Sequence, residues 1–337
     1  MLRYAMKRVF LAMLIIILAI TLLFCMIFLV PGDPASIALG PRATPEIKEA
    51  FRVRMGLDQP IFIQLLRFFS NVLQGDLGVD VWSRRSVSQI VFEVLPHTLA
   101  LIFLGLGWPI VIGIPMGCFA AVKRNGIADK IMGIISVSMI AVPTFVVAIY
   151  SLLVFAVALR WFPAIGAGDS DNVFSQLYYL VLPTFAIGIG WVGYIARIVR
   201  ASMLEVLNEN YIRTARAYGL PEHVIIFHHA LKVAIIPSIA LLGVGLGSLL
   251  SGAVFIEIVF SRPGIGKLIF DAVITRNYPV VMGSVMVSTI FLVTSTLIAD
   301  LLNAILDPRI RTKPYGPVFL DSLPDCRMEI EEDWDNV

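Results

Sequence analysis

Six long runs that contain no Asp, Glu, Lys or Arg organise this chain. Each run has at least 23 residues, and about 20 apolar residues suffice to cross a bilayer as a helix. A lone segment in lipid must satisfy its own backbone hydrogen bonds, so each run is predicted to be a transmembrane helix. The runs are Val9–Gly32, Val94–Val122, Ile131–Leu159, Asn172–Ala196, Val233–Ile256 and Asn277–Ala299.

The composition agrees with this pattern. Hydrophobic residues make up 58% of the 337 positions and charged residues 15%, whereas a soluble domain carries roughly 25% charged residues. The basic residues Arg3, Lys7 and Arg8 precede the first run, as in a signal peptide. A signal peptide has an apolar region of only about 7–15 residues, so the longer first run is predicted to be a retained helix. We therefore expect an all-α polytopic membrane protein with six transmembrane helices.

The Lys and Arg residues of the short loops predict the orientation. Bases are frequent at the N-terminus, in the loop between runs two and three, and in the segment between runs four and five. Both termini are therefore expected in the cytoplasm of a bacterial cell, with the chain in the inner membrane. The resulting divisions are the cytoplasmic N-terminus and first helix (1–32), a periplasmic loop (33–96), a five-helix core (97–311) with a cytoplasmic loop at about 197–232, and an acidic cytoplasmic tail (312–337).

The periplasmic loop carries helix signals of its own. Thr44-Pro45-Glu46 is typical of a helix start, and the helix is predicted to run to about Met55. A second, amphipathic helix is predicted from Gln59-Pro60 to about Leu73. A loop this long with internal helices favours a docking or gating element, and a simple cap on the outer face is the alternative.

The runs contain no energy-coupling machinery. Ionisable groups at mid-membrane, which mark ion or proton paths, are absent, and Glu257 and Asp300 lie beyond the run ends as expected interfacial anchors. The sequence has no phosphate-binding loop with its Gly-Lys-Ser/Thr ending. No hydrolytic residue set and no metal-ligand spacing is evident. We therefore expect no catalytic or metal site, no nucleic-acid partner, and no cofactor on this chain.

Glycine and proline positions inside the runs have two interpretations. Gly188-Ile189-Gly190-Trp191-Val192-Gly193 fits a dinucleotide-binding pattern, but it lies within a transmembrane run, where small residues allow close helix packing. Pro143 and Pro183 interrupt runs three and four. They are either packing kinks or irregular backbone beside a translocation path. Pro143, Pro183 and Gly190 are accordingly candidates for that path.

The segment between runs four and five is the most informative. Ser202-Met203-Leu204-Glu205 is predicted to start a helix with a capping box. Gly219 and Pro221 are predicted to end a short helix in this segment. Thr214, Ala215 and Ala217 lie beside Arg213 and Arg216 and give that helix a low, basic face. Such a face suits a groove in another protein, although an ordinary solvated helix fits equally well.

Several stretches together resemble the permease subunits of the dipeptide/oligopeptide/nickel class of ABC importers, of the first-permease type. The resemblance covers essentially residues 1–311. The stretches are Pro31-Gly32-Asp33-Pro34, Gly56-Leu57-Asp58-Gln59-Pro60, Gly75-Asp76-Leu77-Gly78, residues 202–207, Tyr211–Leu220, His229-Ala230-Leu231, Ile236-Pro237, Phe260–Gly266, Arg276–Gly283 and Asp307-Pro308-Arg309-Ile310-Arg311.

The resemblance implies the permease fold of a type I ABC importer, with residues 202–220 as the coupling helix that sits in a cleft of the ATPase. The family pattern often begins Glu-Ala-Ala at this point, whereas this chain has Arg213-Thr214-Ala215. The implied contact residues are Ser202, Glu205, Tyr211, Arg213, Thr214, Ala215, Arg216, Ala217 and Gly219.

The resemblance also implies the partners: a second permease subunit, two ATPase subunits that bind ATP and Mg²⁺, a periplasmic substrate-binding protein, and membrane lipid. This chain itself is expected not to be an enzyme. Short peptides are the first substrate class that it implies, with nickel chelates, glutathione, opines or oligosaccharides as alternatives. An ion-coupled secondary transporter and a membrane enzyme fit less well, because the sequence shows neither intramembrane charge nor a polar cluster at one membrane face.

Overall fold

The computed structural model describes residues 2–29, 44–55, 59–169 and 171–306. Helices account for most of these residues, and within them the only strand-like pairing is an isolated bridge between Val79 and Ser86. The main helices are α1 (Leu2–Leu29), α2 (Pro45–Met55), α3 (Ile61–Leu73), α4 (Val87–Val122), α5 (Ile127–Ala141), α6 (Thr144–Ser151), α7 (Val173–Val206), α8 (Asn210–Ala217), α9 (Ile236–Val259), α10 (Ile265–Ile274) and α11 (Tyr278–Leu306). The predicted all-α fold class is confirmed.

Four of these helices are long and apolar enough to cross a bilayer, and the count rises to six if each of two bent helix pairs is one span. The first bent pair is α5 with α6 and the π-helical turns that follow it (Leu152–Ala158), and the bend is 95°. Pro143 stands directly before α6 at this break. Proline disfavours helical geometry in the preceding residue, and Val142 accordingly adopts an extended conformation.

The helices predicted in the loop before α4 are confirmed by α2 and α3, which begin and end within two residues of the predicted bounds. The helix predicted to start at Ser202 is wrong. Ser202 and Glu205 lie in the last turns of α7, which continues ten residues past the charge-free run. No glycine or proline interrupts the chain there, and buried Met203 and Val206 give the extension an apolar face to pack.

A parallel pair, α4 and α7, forms the centre of the fold. Glycines allow this pair to approach closely. A Cβ added at Gly188 would lie 2.5 Å from the carbonyl oxygen of Gly105, and one at Gly117 would lie 2.4 Å from that of Ala196. Two backbones this close require residues without side chains at the crossing. The glycine pattern of α7 is therefore a packing feature, as the sequence indicated.

Three apolar clusters hold the bundle together. The central cluster joins α4, α6, α7 and α9. A second cluster lies at the end of the bundle that carries α8, called here the α8 end, and joins α4, α7, α8 and the short helical segment Glu222–Ala234. The third cluster lies at the opposite end, where residues of α10 and α11 pack against the loop that precedes α4.

Candidate functional site

The short helix α8 is held to the bundle by one buried side chain. Ile212 has 0% of its surface exposed and packs in the second cluster with Met203 of α7 and Ile225 of the segment Glu222–Ala234. Ala215, one turn later, is partly buried against the same cluster. A helix of eight residues is not stable by itself in water, so this packing decides where α8 lies.

The opposite side of α8 is open to solvent. Five of the predicted contact residues are exposed here: Tyr211, Arg213, Thr214, Arg216 and Ala217. Tyr218, which was not among the predicted contact residues, is exposed as well. Partial desolvation, followed by the charge of nearby Glu209, raises the pKa of Tyr211 above the ordinary value for a tyrosine. The exposed side therefore offers two guanidinium groups and two phenols around small side chains.

The end of α8 is shaped by Gly219. Its φ of +72° lies in the left-handed region that favours glycine. The Gly219 N–H donates to the carbonyl of Arg216 at 3.0 Å, and the Leu220 N–H donates to the carbonyl of Ala215 at 3.3 Å. These two bonds form a Schellman motif, which ends the helix sharply. The predicted stop signal is confirmed, and Gly219 is exposed at the tip of the turn.

A salt bridge fastens the chain after this turn. The Arg216 guanidinium donates from Nε to one carboxylate oxygen of Glu222 at 2.8 Å and from Nη2 to the other at 3.4 Å. Exposed ion pairs contribute only about 0–1 kcal/mol. The pair nevertheless restricts one of the two guanidinium groups on the exposed side and leaves Arg213 as the more adaptable one.

Ser202 and Glu205 belong to α7 rather than to α8. They are separated from α8 by the break at Leu207–Glu209, and Glu205 is exposed. The candidate contact surface therefore has two levels, the last turn of α7 and the open side of α8. Sequence reasoning missed Ile212 as the anchor. Its signal was a large aliphatic residue in an otherwise polar and small helix, Asn-Tyr-Ile-Arg-Thr-Ala-Arg-Ala.

The three residues predicted for a translocation path lie in different environments. Pro143 is exposed at the 95° bend between α5 and α6. Pro183 is buried inside the continuous helix α7. Gly190 is partly buried, and a Cβ there would meet the carbonyl oxygen of Met139 at 3.5 Å. Their assignment to the path stays a prediction.

At the opposite end of the bundle, Glu257 forms a buried node that the sequence did not suggest. Its position just beyond the fifth charge-free run predicted an interfacial anchor, but Glu257 has 0% exposure and lies inside α9. Its carboxylate accepts hydrogen bonds from the Thr98 hydroxyl at 2.6 Å and from the Lys267 N–H at 3.0 Å. The Thr98 oxygen in turn accepts the Ile265 N–H at 2.8 Å. Side chains of α4 and α9 thus cap the start of α10, whose own N-cap, Gly264, has no side chain.

This node explains two glycines and an arginine in the stretch Phe260–Gly266. A Cβ at Gly264 would lie 2.1 Å from the Glu257 carboxylate carbon, and one at Gly266 would lie 2.6 Å from the Cα of Val254. Arg262 is also buried, and its charge is felt by Glu257. Its Nε and Nη1 have no hydrogen-bond partner among the described residues. The Glu257 carboxyl group therefore satisfies a helix end and lies near a buried guanidinium.

No group of three or more His, Cys, Asp or Glu side chains that could hold a metal ion occurs in the described part of the chain. His228 and His229 are exposed neighbours, and the free thiols Cys25 and Cys118 are exposed and buried, respectively.

Comparisons with known proteins agree with this architecture. The family model "Binding-protein-dependent transport system inner membrane component" matches residues 113–312, and the model of its N-terminal region matches residues 1–102. The glutathione transport system permease protein GsiC of Escherichia coli K12 is 35% identical over 313 residues, which is 93% of this chain and all of that protein. The GsiC protein of Pectobacterium atrosepticum is 36% identical over 313 residues, which is again 93% of this chain and all of that protein.

The fold has a solved counterpart. A chain of the MetNI methionine ABC transporter in an inward-facing conformation aligns with a TM-score of 0.54 at 18% identity, over 65% of this chain and 97% of that chain. At this identity the likeness concerns the fold alone. The family match runs from the last turns of α4 through α8 to the end of α11 and covers more than half of the chain. Together with the full-length relatives, it shows that this chain belongs to the binding-protein-dependent inner-membrane components, the permease subunits of ABC importers.

Proposed function

We propose that this chain forms half of a membrane pore that imports short peptides, with glutathione as the first candidate, and that ATP hydrolysis on partner subunits drives it through α8. The observation that carries the proposal is the anchoring of α8. Its inner side is fixed by Ile212 in a cluster shared with α7, while its basic outer side is free for a partner.

The route from α8 into the membrane is continuous. Helix α7 has 34 residues, which corresponds to about 50 Å at 1.5 Å per residue, and a bilayer core is only about 30 Å thick. The helix therefore crosses the membrane and still reaches the cluster that holds α8. A displacement of α8 by an ATPase would be transmitted to α7 as a rigid-body motion, and alternating access would follow from movement of α7 relative to its neighbours.

The partner set follows from family membership. A second permease subunit would complete the pore, two ATPase subunits would dock on the α8 ends, and a periplasmic binding protein would deliver substrate at the opposite end. Helices α2 and α3, in the loop before α4, are the proposed contact for the binding protein. The α8 end and both termini are proposed to lie in the cytoplasm, because the loops at this end are rich in Lys and Arg.

The substrate proposal is supported by the relatives. The proteins of E. coli and P. atrosepticum named above are glutathione transport permeases, and glutathione is a tripeptide-like solute within the short-peptide class. The test is uptake by proteoliposomes that contain the complete importer and its binding protein. Radiolabelled glutathione and a panel of di- and tripeptides are offered with ATP and with a non-hydrolysable analogue inside. If the importer takes up none of these peptides but does take up a nickel chelate, an opine or an oligosaccharide, the proposal of a peptide substrate is wrong.

The coupling role of α8 is tested at Gly219. A Cβ there meets no atom of this chain within 4 Å, so a substitution has no steric cost inside the subunit. Gly219→Asn suits the left-handed backbone and adds a small side chain, whereas Gly219→Glu adds a long, charged one. We expect both variants to assemble in the membrane and Gly219→Glu to lose ATP-dependent uptake. Normal uptake by Gly219→Glu would contradict the assignment of α8 as the coupling helix.

A further inference from the structure

A cavity of about 260 Å³ opens at the α8 end, between α4, α5 and α7. Three basic side chains line it, together with the carboxylate of Asp129; the bases are Lys130, Arg197 and Arg200. The cavity is separate from the exposed side of α8, to which none of these residues belongs. Its volume lies just below the roughly 300–1,000 Å³ of pockets for drug-sized ligands.

One of the three bases is already paired. The Arg200 guanidinium donates to both oxygens of Asp129, at 2.5 Å from Nε and 2.8 Å from Nη2. The Asn125 N–H adds a further bond to that carboxylate at 3.0 Å. Lys130 and Arg197 form no ion pair with another described residue; the Arg197 guanidinium lies over the ring of Tyr194 at 5.8 Å. The cavity therefore holds two positive charges without a counter-ion from this part of the chain.

The cavity changes from charged to apolar along the helix axes. Lys130 and Arg197 directly flank the charge-free runs of α5 and α7 and so stand at the membrane surface. Deeper in, the lining includes Met132 and Val137. Val137 is seven residues after Lys130, or about 10 Å further along α5. A small soluble anion would make no use of this apolar depth, whereas an amphiphile needs both parts.

The apolar side of the cavity continues onto the outside of the bundle. Ile134 lies four residues after Lys130 and three before Val137, so it shares their face of α5, and 68% of its surface is exposed. Gly133 also lines the cavity, and a Cβ there would meet no atom within 4 Å. An acyl chain that leaves the cavity would thus lie along an open apolar helix face.

We propose that this cavity is a binding site for an anionic phospholipid, with the phosphate between Lys130 and Arg197 and the upper acyl chains against Met132, Val137 and Ile134. Basic pockets between transmembrane helices are suited to anionic headgroups. The Arg200–Asp129 pair fixes the spacing of α5 and α7, and the lipid neutralises the remaining charge. The second permease or an ATPase carboxylate as the occupant is an outcome of the test below.

The test is native mass spectrometry of the complete importer, titrated with phosphatidylglycerol or with phosphatidylcholine of the same chains. The wild type is expected to bind phosphatidylglycerol in preference. The variant Lys130→Gln/Arg197→Gln removes both free charges and leaves the Arg200–Asp129 pair intact. Its affinity for phosphatidylglycerol is expected to fall on the order of 30-fold, the loss for two interfacial bases, with phosphatidylcholine unaffected.

Two further variants make the result specific. The control Lys123→Gln/Lys232→Gln removes two exposed bases outside the cavity and is expected to retain phosphatidylglycerol. Gly133→Leu keeps every charge and fills the cavity, and it is expected to exclude the lipid without loss of stability, because leucine favours helix over glycine.

Three results would overturn the proposal. The first is equal binding of both lipids by the wild type, and the second is unchanged phosphatidylglycerol binding by Gly133→Leu. The third is displacement of phosphatidylglycerol by millimolar inorganic phosphate, which would assign the site to a free anion. If the ATPase or the second permease covers the cavity instead of a lipid, the complete importer will bind the two lipids equally, which is the first of these results.

Discussion

Replacement of Ile212 by alanine is expected to separate ATP hydrolysis from transport. Ile212 is fully buried and is the largest side chain that α8 contributes to the cluster with Met203 and Ile225. The substitution removes most of this contact and changes no residue on the exposed side of α8. The partner surface is thus kept, and its connection to α7 is weakened.

The magnitude follows from the burial. An Ile→Ala change at a buried site costs about 2–5 kcal/mol, and Ile→Val costs about 0.5–1.5 kcal/mol. At about 1.4 kcal/mol for each factor of ten, the ratio of docked to undocked α8 falls roughly 30-fold to several thousand-fold for Ile212→Ala. Because an eight-residue helix has little stability of its own, this loss is not recovered inside α8. Ile212→Val should give a graded, smaller effect.

The assay measures uptake and ATP hydrolysis in the same proteoliposomes, and reports solute imported for each ATP hydrolysed. We expect basal hydrolysis to persist and this ratio to fall at least tenfold for Ile212→Ala. The matched control is Ile127→Ala, the same chemical change at a side chain that is 79% exposed, and it should behave as the wild type. A wild-type ratio in an intact Ile212→Ala complex would refute the reasoning, as would equal damage from the control.

Three further changes test the packing and the opposite end of the bundle. Gly264→Ala puts a Cβ 2.1 Å from the buried carboxylate of Glu257 and should cost about 1–3 kcal/mol of stability. The control Gly107→Ala, in an open helix position, should be neutral or stabilising by up to about 1 kcal/mol. Equal melting temperatures of the two variants would argue against the buried node around Glu257. Gly188→Ala places a Cβ 2.5 Å from a carbonyl oxygen of α4, whereas Gly190→Ala meets α5 only at 3.5 Å. The first variant should lower the melting temperature and the second should not. The reverse order would contradict the close packing of α4 against α7 at Gly188. Burial would raise the pKa of Asp80, but hydrogen bonds to its carboxylate outweigh burial and lower the pKa. The loop that carries Asp80 should therefore be fully stabilised above about pH 4 and should loosen as the pH falls through the lowered pKa. The rate of proteolysis of this loop as a function of pH measures the change, and the same pH profile in Asp80→Asn would contradict this prediction.

The fold could be predicted from the sequence because its strongest signals are local. The absence of charge over each run and the self-contained hydrogen bonding of a helix in lipid identify spans without knowledge of their neighbours. Gly219 and Pro221 ended α8 as expected, since a left-handed residue at a helix end is a property of the backbone itself. The helix start at Ser202 was wrong because a capping pattern competes with continuation of α7, and the packing of Met203 decides that competition.

The remaining features depend on contacts between distant residues. In the sequence, Glu257 has the position of an interfacial anchor. Only the fold brings it into contact with Thr98, 159 positions away, and with the start of α10, ten positions away. Ile212 likewise becomes an anchor only through Ile225 and Met203. The pairing of Arg200 with Asp129 joins residues 71 positions apart. No single-sequence pattern contains these distances. The sequence could therefore mark Ile212 as an apolar position in α8, but it could show neither the side chains that bury Ile212 nor the node around Glu257.

We expect this chain to move solute only when a partner ATPase acts on α8, and uptake by two kinds of proteoliposome decides whether it does. Proteoliposomes with the complete importer receive ATP in the absence of any ion gradient, and matched proteoliposomes with this chain alone receive a proton or sodium gradient without ATP. Labelled solute is expected to accumulate in the first preparation and not in the second. Accumulation by the chain alone under an ion gradient would show that it moves solute without an ATPase.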